Sequence, residues 1–101
     1  MLTSRQRAYL RGLAHKEDAV VQIGKFGLTP EVTKAVDEAL EARELVKVSV
    51  LNNSMLDPLE TAEILNERTR SQIVSVTGGK IVLYRKPNPN SIKKVIIELP
   101  K

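Results

Sequence analysis

A chain of 101 residues with 42% hydrophobic and 28% charged residues reads as one small globular domain with a single core. Cysteine is absent, which excludes disulfides and thiolate metal sites and, with no signal peptide in view, predicts a reducing cytoplasm. No apolar run nears the ~20 residues that span a bilayer, and only Tyr9, Phe26 and Tyr84 are aromatic, so the core is aliphatic.

The net charge of +4 is unevenly spread: residues 1–28 hold five Lys/Arg against two acids, 29–67 three against nine, and 68–101 eight against one. Such polarity suits one face for a polyanion and another turned away from it, although solvated faces of mixed charge would give the same map.

The first predicted helix spans 4–15, opened by a capping box of Thr3 and Gln6. Leu10, Leu13 and Ala14 cluster on one side of it. Arg7, Arg11 and His15 lie four apart as an outward basic stripe, with Arg5 and Lys16 on a second one. His15, the sole histidine, has no Cys or Asp at metal-ligand spacing and no nucleophile nearby. It reads as a capping residue or one that faces the polyanion.

Residues 20–30 are VVQIGKFGLTP. An apolar β-branched run (Val20, Val21, Ile23) meets Gly24-Lys25-Phe26-Gly27, and Thr29 then offers an N-cap with Pro30 at the first helical position. The order is strand, GxxG loop, helix. Two glycines allow close backbone approach, while Lys25 and the helix N–H groups favour a phosphate. There is no Lys-Ser/Thr pair for a P-loop and no third glycine for a dinucleotide fingerprint, which leaves a clamp on a sugar–phosphate backbone. Phe26 has two readings. Its ring could fold back over Leu28 or the first helix, or project from the loop tip to stack on a base. The loop geometry favours an exposed ring, because Lys25 and Phe26 cannot both turn inward.

The second helix, at 30–42, carries Val32, Ala35, Val36, Ala39 and Leu40 as an apolar stripe; Glu31, Asp37, Glu38 and Glu41 form a solvated face. A strand follows at 45–51 and a loop at 52–55. Asp57 and Glu60 form a second capping box around Pro58, opening a helix at 58–68. Leu59, Ala62 and Leu65 can face the core, with Glu60, Glu63 and Glu67 on the acidic side. Two β-rich runs, 72–77 and 80–85, flank Gly78-Gly79, a hairpin signal. The turn predicts pairs Thr77–Lys80, Val76–Ile81, Ser75–Val82, Val74–Leu83 and Ile73–Tyr84. Val74, Val76, Ile81 and Leu83 then share an aliphatic face, and the other face is half polar. Beyond residue 86 the composition shifts. Residues 87–90 break regular structure, and 92–99 is β-prone, as an added edge strand, a cover for the mixed face or a subunit contact.

The element order α-β-α-β-α-β-β, with LTSRQRAYLRGLAH, VVQIGKFGLT, ELVKVSV and VTGGKIVLYR at matching spacing, resembles the CRM domain (chloroplast RNA splicing and ribosome maturation), especially its single-domain bacterial YhbY-like members. The resemblance covers residues 2–86, so 1–86 is expected to be the CRM-like RNA-binding domain and 87–101 a C-terminal extension. It implies an α+β, two-layer fold with a four-stranded mixed sheet, similar to the C-terminal domain of translation initiation factor three. It also implies RNA binding through Gly24, Lys25 and Gly27 with Arg5, Arg7 and Arg11, and association with precursor large ribosomal subunits. Phe26 and His15 join the candidate contacts from their positions.

The reading that follows is a cytoplasmic, non-enzymatic RNA-binding protein acting in ribosome assembly, with ribosomal RNA and ribosomal proteins as partners and no cofactor, metal or membrane. The alternative is an adaptor that docks a basic partner through its acidic helices or its tail. No constellation of nucleophile, base and orienting group points to an enzyme.

Overall fold

The computed structural model describes residues 2–86 together with Ile97, Leu99 and Pro100. Three helices, α1 (Ser4–Ala14), α2 (Pro30–Arg43) and α3 (Pro58–Thr69), alternate with strands β1 (Val21–Ile23), β2 (Leu45–Val50), β3 (Gln72–Thr77) and β4 (Lys80–Tyr84). A short 3-10 turn, Asn52–Ser54, follows β2. The helices start where the capping residues place them. The Thr3 hydroxyl accepts from the Gln6 N–H while the Gln6 side chain accepts from the Thr3 N–H, Thr29 caps Val32, and Asp57 caps Glu60.

The sheet runs β1-β2-β4-β3, with β1 parallel to β2 and the other pairs antiparallel. The expected class and mixed four-stranded sheet are therefore present. One face buries Val46, Val48, Val50, Ile81 and Leu83 against Val36 and Leu40 of α2 and Ala62 and Leu65 of α3. Ala35 and Leu59, assigned to those core stripes, are exposed; Thr61 and Thr69 are buried instead, each donating its hydroxyl proton to a carbonyl one turn earlier.

Helices lie against both faces of this sheet. Val82, Tyr84 and Val74 form a second apolar patch on the opposite face, and α1 covers it with Leu2, Leu10 and Ala14, joined by Ile97 and Leu99. The reason is area: three large apolar side chains on a sheet face must be covered, and burying each contributes roughly 1.5–3 kcal/mol. The first helix supplies that cover.

The hairpin register also departs from expectation beyond its first three pairs. Thr77–Lys80, Val76–Ile81 and Ser75–Val82 pair as the turn dictates, but a bulge then shifts the ladder so that Ile73 faces Leu83 and Gln72 faces Tyr84. Val74 consequently sits under α1 rather than beside Val76 and Leu83. The extra residue puts adjacent Val74 and Ser75 both on the α1 side, so that Ile73 and Val76 both pack against the opposite core. Near the bulge, the Gln72 side chain accepts the Leu2 N–H at 2.8 Å and ties the start of α1 to β3. The expected strand at 92–99 and the boundary at 87 fall mostly outside the described residues.

Candidate nucleic-acid interface

Gly24-Lys25-Phe26-Gly27 forms a tight turn at the end of β1, closed by the Gly27 N–H donating to the Gly24 carbonyl at 2.9 Å. Gly27 has φ +72°, a left-handed conformation that disfavours any side chain. Gly24 is under no such constraint: a Cβ there would meet only ordinary contacts, Asn53 Oδ1 at 3.7 Å and Leu51 Cδ1 at 4.0 Å. The turn leaves Lys25 and Phe26 at its tip. Phe26 is 82% exposed, and Lys25 Nζ sits 5.1 Å from its ring centroid. The ring is therefore outside the core, as the loop geometry led one to expect.

The head of α2 offers an anion less than its sequence suggested. Pro30 has no N–H, and the Val32 N–H donates to the Thr29 hydroxyl. Glu31 places a carboxylate in the first turn, where it already complements the helix dipole. Free donors lie in the loop instead, because among the described residues the N–H groups of Lys25 and Phe26 donate to no protein acceptor.

The basic residues of α1 are exposed but occupy the other layer. Arg11 and His15 flank a groove of about 670 Å³ between α1 and the sheet, whose lining also includes Gly12, Lys47, Ser75, Thr77 and Lys80. Arg5 and Arg7 are exposed outside that groove. His15 is the C-cap of α1, its backbone N–H donating to the Arg11 and Leu13 carbonyls. Thus Gly24, Lys25, Phe26 and Gly27 form one cluster, Arg11 and His15 belong to a second, and Arg5 and Arg7 stand apart. Lys47 and Lys80 were not singled out from the sequence. Strand alternation puts Lys80 on the face of Ser75 and Thr77, but Lys47 joins them only through the β2–β4 pairing, which no local signal announces.

A loop offering two glycines and free amides, with a cationic groove across the sheet, suits polyanion binding, and the family comparison narrows the field. The family model for the CRS1 / YhbY (CRM) domain matches residues 2–85. The chain belongs to this family. Among its CRM-domain relatives is "Probable RNA-binding protein YqeI" of Bacillus subtilis, 45% identical over 100 residues that cover 99% of this chain and all of that one. A Haemophilus influenzae protein named "RNA-binding protein" is 33% identical over 100 residues, covering 99% and 96% of the two chains. The solution structure of the hypothetical protein SAV1595 from Staphylococcus aureus is similar in fold, with a TM-score of 0.74 at 44% identity, covering 99% of this CRM chain and 100% of that one.

Proposed function

We propose that this CRM domain is a non-enzymatic RNA-binding protein of the cytoplasm that associates with precursor large ribosomal subunits during their assembly. The observation that carries the reading is the GxxG turn with its Lys25 ammonium and Phe26 ring projecting outward and its tip amides unused. Two Cβ-free positions let a sugar–phosphate backbone approach, the amides and Lys25 bind its phosphate, and the ring stacks on a base or ribose. Arg5, Arg7, Arg11 and His15 add positive potential from α1. RNA is then read largely by shape, because side chains do not enter the deep groove of an A-form helix. The names of the relatives support RNA as the ligand class.

The test is co-sedimentation of the native protein with large-subunit particles. Association in low salt that is released in high salt is the expected result, since phosphate contacts release counterions. No association at any salt overturns the ribosomal assignment. A second reading, an adaptor for a basic protein, is favoured by the exposed carboxylates of Glu31, Glu38, Glu60, Glu63 and Glu67 on α2 and α3. Association that survives ribonuclease digestion would point to it.

A further inference from the structure

Helix α1 crosses one face of the sheet but covers only part of it. Its apolar contacts are with Val74, Val82 and Tyr84, and the part of that face nearer the Gly78-Gly79 turn stays polar. There the strands set Gln22, Ser49, Lys80 and Thr77 in one cross-strand row. Lys80 Nζ donates to Ser49 Oγ at 2.9 Å, which holds the ammonium over β2, on the side of β1. Strands lie about 4.8 Å apart, so the Lys80 backbone is about 10 Å from Gln22, two residues before Gly24. The GxxG loop and this face meet at the same end of the sheet.

The groove above that row is cationic. Arg11 and His15 line it from α1, Lys47 and Lys80 from the strands, with the hydroxyls of Ser75 and Thr77, and no carboxylate lines it among the described residues. Glu17 and Asp18 line a neighbouring cavity on the other flank of α1, with Tyr9 and Leu13; Lys47 lines both, its Nζ donating to the Glu17 carbonyl at 3.0 Å. Gly12 is the independent observation. It lies in the last turn of α1 on the groove wall, where an alanine would favour the helix and an added Cβ would meet no atom within 4 Å. Folding does not require that glycine. The open space over it leaves room for a ligand backbone to pass close to the helix.

We propose that this groove is a second site for the phosphate backbone of the RNA engaged by the GxxG loop, with Lys47, Lys80, Arg11 and His15 supplying charge and Gly12 supplying room. The inference rests on the RNA-binding reading and extends the contact surface from the loop across β2 to the β3–β4 turn.

The test measures binding to in-vitro-transcribed large-subunit ribosomal RNA at several salt concentrations, with the melting temperature of each variant. Gly12→Ala is expected to melt a few degrees higher than the parent and yet bind RNA several-fold more weakly. Lys80→Gln and Lys47→Gln are each expected to bind about tenfold more weakly at low salt and to lower the log–log salt slope by about one. Lys34→Gln, on α2 in the other layer, is the control and should leave binding unchanged. If the parent binds and Lys25→Ala weakens it while Gly12→Ala, Lys47→Gln and Lys80→Gln match the parent, the groove is no RNA site and the loop reading stands. If the parent itself does not bind this RNA at any salt, both readings fall.

Discussion

Lys25 Nζ stands 5.1 Å from the centre of the Phe26 ring, inside the range of a cation–π contact. The two side chains hold each other at the tip of a turn that the Gly27 N–H closes on the Gly24 carbonyl. The ammonium occupies one ring face, which leaves the other for a base. Replacing Phe26 with alanine should therefore lower RNA affinity by the worth of one stacking contact, about 1–3 kcal/mol. The melting temperature should barely move, because the ring is already exposed. A clear drop in melting temperature with undiminished RNA binding would rule out the stacking role.

Lys25 itself contributes a point charge. Its replacement by alanine should weaken binding to unrelated RNA sequences about equally and reduce the log–log salt slope by about one. Titrations of two or three RNAs over a range of salt check this, and an unchanged slope removes Lys25 from the contacts.

The two loop glycines should behave differently. Gly27→Ala forces a side chain into φ +72° and should destabilise the fold by about 1–2 kcal/mol, read in urea unfolding. Gly24→Ala introduces a methyl group into ordinary contact distance and should leave stability nearly unchanged. Its RNA affinity should still fall if the phosphate backbone approaches Gly24 as proposed. Equal affinity for the Gly24→Ala variant would mean that the loop does not approach RNA closely there.

Alkaline pH should expose the burial of Tyr84. Its pKa is raised above the ordinary 10.0, first by burial beneath α1 and then by the carboxylate of Glu44. The folded state therefore keeps the phenol proton where the unfolded chain loses it. That stabilisation is fully present below pH 10 and is lost as the pH rises through the folded value. Thermal unfolding of Tyr84→Phe across pH 9–11 should show a shallower decline than the parent, and parallel declines would argue against it.

Much of the fold could be read from local chemistry. Thr3, Thr29 and Asp57 cap helices where their spacing to Gln6, Val32 and Glu60 implies, and Gly78-Gly79 fixes the first three hairpin pairs. The bulge was invisible because Ile73 and Val74 are adjacent apolar residues that suit either face. Only α1 waiting on the far side decides between them. Glu44 was invisible for a different reason: it is buried with φ +67°, at a helix end where glycine would ordinarily announce such a backbone. Its carbonyl accepts the Arg85 N–H and its carboxylate the Ile97 N–H, partners far along the chain. The loop half of the candidate site was legible because GxxG is contiguous. Lys47 and Lys80 belong to strands whose pairing had to form first.

Strand β1 is three residues long and, among the described residues, pairs only with β2. The segment carrying the GxxG loop is thus the most lightly held part of the sheet. Such an edge opens and recloses on its own without unfolding the rest, so its amide protons exchange with solvent sooner than those of β2 and β4. An RNA gripping the loop on one side and the β3–β4 turn on the other would clamp that edge shut. Slowed exchange at Ile23 on adding RNA would then report engagement of the loop, even from a residue buried away from the ligand.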